Sequence, residues 1–268
     1  MQTELVGILI AELERHFNEQ LLPELQKKVE AIIERDLPGR VEAIIERELP
    51  GRMATMLGPV LPGQELSNAN KILVDRFTQV FEENLWGDSE TVSGWGSRKD
   101  SPSVAAAISA LEIAKTTANF MSINDIPCGD FNWIEKFLRN VPEICYRGFD
   151  IVSALIHKNK MLYPNYEFEL LDVTSTLPPR ADLILSKDFF NHLTYADVKK
   201  ALANMKKSHS GYLLASNNFD VVNEELPANA GSSSRHLDLC AEPFNLPVPI
   251  WRTHYMGLWK FSDIKVDQ

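Results

Sequence analysis

Alternating strand-like and helix-like segments between residues 120 and 219 restrict the possible folds of this chain more than any other feature. Short apolar runs alternate there with amphipathic stretches at the 3.6-residue period of helices. Strands separated by helices pair in parallel, because a parallel pair needs a long crossover connection. We therefore predict an α/β domain with a Rossmann-like, mostly parallel sheet and helices on both faces. The predicted strands cover 120–128, 144–152, 168–173, 181–188 and 211–219, and the helices between them cover 131–140, 153–161 and 194–207.

The segments on either side extend this prediction. Two further helices are predicted before the first strand, over residues 71–86 and 103–118. After the last helix-strand pair, strand-forming residues between Trp251 and Trp259 predict one or two antiparallel strands. The sheet should therefore end in a C-terminal antiparallel edge strand.

The first part of the chain has a different pattern, dominated by a tandem duplication. The unit VEAIIERDLPGR at residues 29–40 is followed by VEAIIERELPGR at 41–52, and only an aspartate in the first is changed, to a glutamate in the second. Each unit predicts a two-turn amphipathic helix that ends at Leu-Pro-Gly, because proline breaks the hydrogen-bond ladder. Two units are too few for a solenoid. We predict an α-helical N-terminal extension over 1–62, packed on the domain or joining a homo-oligomer, and a catalytic domain over 63–268.

Charge and cysteine content disfavour several functional classes. A net charge of −10 opposes binding to nucleic acid, because no basic surface is large enough to dominate the field. No apolar run reaches the roughly 18 residues that a membrane span needs, and no signal peptide is evident. The cysteines Cys128, Cys145 and Cys240 are isolated, with no histidine at metal-ligand spacing. We expect a cytoplasmic protein with reduced thiols, no metal site and no membrane span.

Acidic residues follow three successive predicted strands. In an open parallel sheet, ligands bind at the carboxyl ends of the strands. The first strand leads into a turn with Asp125 and Gly129, the second into Asp150 and the third into Asp172. Asp150 lies 21 residues beyond Gly129, close to the spacing of about 20 at which an acid accepts hydrogen bonds from ribose hydroxyls. Each aspartate alone is explained by helix capping, but three in succession favour a nucleotide-type cofactor.

The first turn indicates which kind of cofactor. A pyrophosphate needs close backbone approach and a helix N-terminus without negative charge. Pro127 removes one N–H donor from the turn, and Asp130 places a carboxylate at the start of the next helix. Both residues oppose NAD or FAD. A phosphate-free ligand with an ammonium, a sulfonium, a ribose and an adenine is compatible with them, and S-adenosylmethionine is such a ligand.

At this point the residues resemble a known family. Residues 120–217 are similar to the class I S-adenosylmethionine-dependent methyltransferases, whose first motif commonly has three glycines after an acid. Asp125 stands at the acidic position and Gly129 at the central glycine, while Pro127 and Phe131 stand at the other two. The stretches WGDSETVSGWGS, DIPCGDFNW, GFDIV, LLDVT and DLILSKDFFNHL more specifically resemble a bacterial subgroup with an Asp-x-Pro-Cys-Gly-Asp first motif. That subgroup is similar to enzymes of polysaccharide and small-molecule modification.

The resemblance implies S-adenosylmethionine as cofactor and distributes its parts over the strand ends. The first turn would surround the methionine part, Asp150 would bind the ribose and Asp172 the adenine. The loop at 95–97 would cover the methionine carboxylate. The implied cofactor-binding residues are Trp95, Gly96, Ser97, Asp125, Pro127, Cys128, Gly129, Asp130, Asp150, Ile151, Asp172, Val173, Ser186 and Lys187.

The implied reaction is methyl transfer to a hydroxyl, without a metal, by in-line displacement. The protein would align donor and acceptor, and a base would take the hydroxyl proton. The candidate catalytic residues are His192, Asp188 and His236, and the candidate substrate-binding residues are Asn191 and Arg235. A polar run at 229–235 suits a sugar, a polysaccharide or another small polar acceptor.

Two other classes of function remain open at the level of sequence. An NAD(P)-dependent oxidoreductase or epimerase is suggested by the spacing of Tyr195 and Lys199, which forms a Tyr-x-x-x-Lys pair. That class predicts a glycine-rich first turn, which this chain lacks. A non-catalytic module that keeps a methyltransferase-like fold for assembly is the second alternative, and the strand-end aspartates argue against it.

Overall fold

The computed structural model describes residues 70–265, and the predicted extension with its duplicated units lies outside them. The boundary predicted between residues 62 and 63, and the predicted oligomer contact, therefore stay predictions. The helices are α1 (Lys71–Glu82), α2 (Pro102–Ala118), α3 (Ile134–Leu138), α4 (Ser153–Leu162) and α5 (Tyr195–Lys207), with short 3-10 helices at Trp95–Ser97 and Phe190–His192. The strands are β1 (Ser122–Asp125), β2 (Cys145–Asp150), β3 (Glu167–Leu170), β4 (Leu183–Ser186), β5 (Tyr212–Ser216), β6 (Trp251–Arg252) and β7 (Met256–Lys260).

The strands form a seven-stranded sheet in the order β3-β2-β1-β4-β5-β7-β6. The first five pair in parallel, and β7 pairs antiparallel with both β5 and β6. The order of the first five strands is that of the doubly wound nucleotide-binding folds, with the switch point between β1 and β4. The predicted Rossmann-like sheet with antiparallel pairing at its C-terminal edge is confirmed.

Helices cover both faces of this sheet, as predicted. Residues that alternate along a strand enter two separate cores: Leu183 and Leu185 of β4 pack with α2 and α3, whereas Ile184 packs with α1 and α5. The same alternation occurs in β5, where Leu214 faces the first core and Leu213 the second. Burial on both faces explains why the parallel strands read as continuous apolar runs.

The helix ends have clear local causes. The Ser101 hydroxyl accepts the Val104 N–H at 3.1 Å, with Pro102 at the first helical position of α2. Thr194 caps α5 in the same way through the Asp197 N–H. None of the helices within residues 70–265 is long and apolar enough to cross a membrane.

Candidate active site

A cavity lies at the carboxyl ends of the parallel strands, the edge at which open α/β sheets bind ligands. It encloses about 1100 Å³ of space, part of it open to solvent. Turns after β1, β2, β3 and β4 line it, together with α1 and the loop that follows α1. The site residues predicted from sequence that line it are Ser97, Asp125, Pro127, Cys128, Gly129, Asp130, Asp150, Ile151, Asp172, Val173, Lys187, Asp188 and His192.

The turn after β1 is held by hydrogen bonds to the neighbouring strand and helix. The Cys128 N–H donates to the Phe149 carbonyl of β2 at 2.8 Å. Asn159, fully buried on α4, donates its Nδ2 to the Gly129 carbonyl at 2.7 Å. Burial raises the pKa of the Cys128 thiol well above its ordinary value. The thiol is therefore neutral at physiological pH and unsuited to act as a nucleophile.

Gly129 stands where a side chain has no room. Its φ is +54°, and a Cβ there would lie 2.4 Å from the Ser93 Oγ. The serine cannot simply turn away, because its hydroxyl accepts the Asp130 N–H and donates to the Asp130 carboxylate, both at 3.1 Å. We expect Gly129→Ala to lower the free energy of unfolding by about 2–4 kcal/mol, from left-handed strain plus the displaced serine. Urea denaturation measures this loss.

Gly87→Ala is the matched control for that variant. Gly87 has a similar φ of +64°, but nothing lies within 4 Å of an added Cβ. It should lose only the left-handed strain, about 1–2 kcal/mol. Removing the Ser93 hydroxyl in the Gly129→Ala background should recover part of the extra loss. Equal losses at Gly87 and Gly129 would contradict the steric explanation.

Asp125 ends β1 and is buried at the centre of the site. The Tyr146 hydroxyl donates to its Oδ2 at 2.8 Å. Burial raises the pKa of Asp125 to about 7, an effect that the Tyr146 bond and the Lys187 charge oppose and Asp150 reinforces. Near neutral pH this carboxyl therefore exchanges its proton easily, and a nearby cation would favour its charged form.

This burial makes the folded state less stable as the pH rises. Asp125 ionises at a pKa of about 7 in the folded protein and at about 3.9 in an unfolded chain. Between these values the folded state holds a proton that the unfolded state has lost, so the free energy of unfolding falls with rising pH. Asp125→Asn should therefore be more stable than the wild type by about 1–3 kcal/mol at pH 8, with the gain disappearing towards pH 4.

Thermal denaturation between pH 4 and pH 8 checks this prediction. Asp182→Asn is the control, because Asp182 lies at the other end of the sheet, where its Oδ2 accepts the N–H groups of Met121 and Ser122. The control should show no pH-dependent gain. An Asp125→Asn protein less stable than the wild type at pH 8 would contradict the proposed cost of the buried charge.

Asp150 ends β2 and is joined to the first turn. Its Oδ2 accepts the Gly129 N–H at 3.2 Å, and its Oδ1 accepts the Val152 N–H at 3.0 Å. Burial raises the pKa of Asp150 to about 6, although these backbone donors oppose the rise. A carboxylate has about four acceptor positions. Asp150 therefore keeps lone pairs for hydroxyl donors of a ligand.

Asp172, after β3, differs from Asp150 because the protein uses all of its acceptor positions. Its Oδ1 accepts the Thr174 N–H at 2.8 Å and the Thr174 hydroxyl at 2.7 Å. Its Oδ2 accepts the Asn70 N–H at 2.8 Å and the Ser175 hydroxyl at 2.9 Å. With four donors on two oxygens, Asp172 holds its own loop and the start of α1.

Asp130 connects the loop between α1 and α2 to the first turn by hydrogen bonds. Its Oδ2 accepts the Val92 N–H at 3.0 Å and its Oδ1 accepts the Ser93 hydroxyl at 3.1 Å. Asn132 adds a bond from its Nδ2 to the Glu90 carboxylate at 2.8 Å. Val92, Ser93 and Ser97 of this loop line the cavity as a result.

Lys187 and Asp188, after β4, belong to a polar network. The Lys187 Nζ, buried, donates to the Gly96 carbonyl at 2.8 Å and to the Asp188 Oδ2 at 2.6 Å. The Tyr255 hydroxyl donates to the Asp188 Oδ1. Burial raises the pKa of Tyr255 well above its ordinary value, and the negative charge of Asp188 adds a smaller rise. Since both oxygens of Asp188 have partners, this carboxylate is a poorer candidate base than His192.

His192 has the hydrogen bonding of a neutral base. Its Nδ1 lies 3.0 Å from the Ser233 carbonyl. A carbonyl only accepts, so Nδ1 carries the proton and Nε2 the lone pair. Burial lowers the pKa of His192, outweighing the opposite effects of the Ser233 carbonyl and of Asp188. The imidazole is therefore neutral at pH 7 and able to take a proton.

Arg76 of α1 holds the segment that orients His192. Its buried guanidinium donates from Nε to the Gly231 carbonyl at 2.6 Å and from Nη2 to the Ser233 carbonyl at 3.3 Å. Its Nη1 donates to the His192 carbonyl at 2.8 Å. The Trp86 Nε1 adds a bond to the Ser232 carbonyl at 2.9 Å. Helix α1 thus positions both ends of the Ser233–His192 contact.

Six of the predicted site residues do not line the cavity. Trp95 is 64% exposed, and His236 is exposed as well. The Arg235 Nη1 donates to the Leu193 carbonyl at 2.6 Å, which supports the chain after β4. Side-chain direction in a loop depends on packing, which the sequence pattern did not indicate. The six residues are Trp95, Gly96, Ser186, Asn191, Arg235 and His236.

Several lining residues were not predicted as site residues. The sequence indicated an apolar stripe on the helix at 71–86, but a stripe predicts burial without identifying the partner. In the structure this stripe and its neighbours face the ligand cavity. The residues concerned are Leu73, Phe77, Phe81, Trp86, Val92, Phe189 and Leu193.

Comparison with known proteins returns distant structural similarity only. No protein-family model and no curated protein matches the chain. Human N-acetylserotonin methyltransferase in complex with SAM is 10% identical, with a TM-score of 0.47 over 59% of this chain and 51% of that one. Magnesium protoporphyrin IX methyltransferase from Synechocystis PCC 6803 with bound SAH is 12% identical, with a TM-score of 0.44 over 57% of this chain and 73% of that one. The match thus spans about half the length of the human enzyme.

Proposed function

We propose that this chain is an S-adenosylmethionine-dependent methyltransferase that acts on a hydroxyl of a small molecule. The observation that carries the proposal is the charge of the cavity. Among the described residues that line it, five are aspartates and one is a lysine, with no arginine or glutamate. The lysine, Lys187, is already paired with Asp188 at 2.6 Å. A lining with this excess of carboxylates suits a cationic ligand.

The residues present fit S-adenosylmethionine better than a dinucleotide. Two phosphates would meet Asp125, Asp130 and Asp150 at the first turn, where repulsion would be strong because Asp125 and Asp150 are shielded from water. An ammonium and a sulfonium would instead favour the charged forms of Asp125 and Asp150. Gly129, with φ of +54°, allows close backbone approach at the same turn.

The roles of the strand-end residues follow from their free acceptor positions. Asp150, which keeps lone pairs, would accept the ribose hydroxyls. Asp125 and the first turn would face the methionine part. Asp172 would act by holding the loop that carries Val173, because its own oxygens are already used.

His192 would act as the base. When bound, S-adenosylmethionine would supply a methyl group on a sulfonium, which the acceptor oxygen would take as the S–C bond breaks, with S-adenosylhomocysteine as the leaving group. The lone pair on the His192 Nε2 takes the hydroxyl proton. The Ser233 carbonyl holds the ring in the required tautomer, and Arg76 holds that carbonyl. Alignment and proton removal together are the protein's contribution.

The two alternative functions have less support. Tyr195 and Lys199 do not line the cavity, so the Tyr-x-x-x-Lys spacing does not bring them to the cofactor. The Tyr195 ring packs instead against Phe244, with centroids 5.3 Å apart. A non-catalytic module would have no use for two buried carboxyls whose raised pKa values make folding less favourable at neutral pH.

Isothermal titration calorimetry with S-adenosylhomocysteine and with NAD⁺ tests the proposal directly. We expect saturable heat with S-adenosylhomocysteine and none with NAD⁺. Binding of NAD⁺ alone would overturn the proposal in favour of an oxidoreductase. Absence of heat with both would favour the non-catalytic module.

The pH dependence of binding gives an independent check. Asp150 and Asp125 have pKa values of about 6 and about 7 in the folded protein. At a pH below these values, a cationic ligand must displace protons from the two carboxyls when it binds. We expect the affinity for S-adenosylmethionine to rise between pH 5.5 and pH 7.5 and then to level off. Calorimetry in buffers of different ionisation enthalpy should show proton release at pH 6. Affinity independent of pH would contradict the role of these two carboxyls.

A further inference from the structure

The cavity has a second part whose lining contrasts with the aspartates at the strand ends. It is supplied by α1, by the loop after α1 and by the segment after β4. These segments also contribute Ser93, Ser97, Lys187 and Asp188 to the lining, and the other side chains that they contribute are apolar, aromatic or imidazole: Leu73, Phe77, Phe81, Trp86, Val92, Phe189, His192 and Leu193. We call this group the aromatic wall.

The rings of the aromatic wall surround the base and are held in place. The Trp86 and His192 rings have centroids 5.3 Å apart at an angle of 48°, and Phe77 meets His192 edge-on at 6.4 Å. Two backbone carbonyls of one segment accept hydrogen bonds from these rings: Ser232 from the Trp86 indole and Ser233 from the His192 imidazole. Centroid separations of about 4.5–7 Å are those at which aromatic rings attract one another. A planar aromatic ligand beside His192 would therefore contact aromatic side chains that are already held in position.

The two arginines that contact the backbone of the aromatic wall donate to protein carbonyls. Arg235, from the polar run at 229–235, donates to the Leu193 carbonyl and stacks on Tyr195 at 5.2 Å. Arg76 uses its guanidinium on three backbone carbonyls. Neither arginine lines the cavity. Those hydroxyls of a sugar that face the aromatic wall would lack partners there, which is costly.

The strength of the base also discriminates between acceptors. A neutral imidazole is a modest base, so it takes a proton more readily from an acidic hydroxyl than from a weakly acidic one. A phenol such as the tyrosine side chain ionises near pH 10, whereas an alkyl hydroxyl is a far weaker acid, close to water. His192 is better matched to a phenol.

We propose that the acceptor is an uncharged phenol, a hydroxylated aromatic small molecule whose ring packs on the aromatic wall with its hydroxyl towards His192. This inference rests on the proposed methyltransferase function. The phenolic oxygen gains the methyl group, the S–C bond breaks with its electron pair retained by sulfur, and the phenolic proton passes to the His192 Nε2. Such a substrate requires an earlier reaction that places a hydroxyl on an aromatic ring.

Binding to the full chain saturated with S-adenosylhomocysteine tests the acceptor class. The probes are 2-naphthol as the phenol, 2-naphthoate as an anionic ring of similar size and methyl glucoside as the sugar. We expect saturable binding of 2-naphthol and none of the other two at the same concentration. Trp86→Ala should weaken 2-naphthol binding about tenfold, because it removes a ring of the wall. Trp86→Phe, which keeps a ring, should retain most of it.

Leu85→Ala is the control, because Leu85 is the exposed neighbour of Trp86 and does not line the cavity. It should bind 2-naphthol like the wild type. Equal losses for Leu85→Ala and Trp86→Ala, or binding of methyl glucoside in place of 2-naphthol, would overturn the acceptor assignment. In those cases S-adenosylhomocysteine would still bind, so the methyltransferase proposal would stand. Absence of S-adenosylhomocysteine binding would overturn both.

Discussion

Replacing Asp150 by alanine is expected to weaken the binding of S-adenosylhomocysteine by about 10- to 100-fold, since hydrogen bonds to a charged group contribute about 1.5–3 kcal/mol. The side chain is buried at the end of β2, and it keeps lone pairs that could accept from ribose hydroxyls. Calorimetry at a temperature where wild type and variant are both folded measures the change.

The control for this variant is a second buried aspartate with backbone donors. Asp238 accepts the N–H groups of Cys240 and Asp220, each at 2.9 Å, and does not line the cavity. Both alanine variants should lose stability, because each leaves N–H groups without an acceptor, at about 1–3 kcal/mol. Only Asp150→Ala should lose affinity. Unchanged affinity in Asp150→Ala would remove this residue from the ribose site.

Replacing His192 by alanine is expected to lower the turnover number with a phenolic acceptor by about 10²- to 10⁴-fold, the usual contribution of a general base. Affinity for S-adenosylhomocysteine should stay within a fewfold of the wild type, because His192 belongs to the aromatic wall and not to the strand-end aspartates. Release of S-adenosylhomocysteine at saturating S-adenosylmethionine measures turnover.

The pH profile separates a base from a packing residue. In the wild type, turnover should rise with pH, and the midpoint of that rise should lie below the ordinary pKa of a histidine, because burial lowers the pKa of His192. That rise should be absent from the residual activity of His192→Ala, and added imidazole should restore part of the rate. A His192→Gln variant that keeps full turnover with the same pH profile would show that His192 does not remove the proton.

The fold could be predicted from the sequence because its main signals are local. Apolar runs separated by amphipathic stretches predicted the parallel strands, and each observed strand lies within or within one residue of its predicted segment. The observed strands are shorter, because the apolar run continues past the hydrogen-bonded ladder into the buried turn, as with Ile126 and Cys128 after β1. The position of β7 between β5 and β6 was not predictable, since antiparallel pairing at the edge depends on contacts far apart in the chain.

The candidate site was predictable where it depends on strand ends. Asp125 and Asp150 end neighbouring parallel strands and therefore lie at the same edge of the sheet, whatever the side chains around them. The free acceptor positions of Asp150 and the filled ones of Asp172 were not predictable. They depend on donors from other segments, such as the Asn70 N–H, which is 102 positions from Asp172 in the chain.

Hydrophobic period and strand-end position are local properties, so the chain's residue pattern is enough to specify a parallel sheet with an acidic edge. The aromatic wall is different. It forms because α1 packs over that edge and Arg76 reaches the Gly231 carbonyl, 155 positions away. A contact at this distance is selected by the packing of the whole domain, since many other arrangements would bury the same apolar stripe equally well. The residue pattern therefore specifies the acidic edge, whereas the packing of the whole domain forms the aromatic wall.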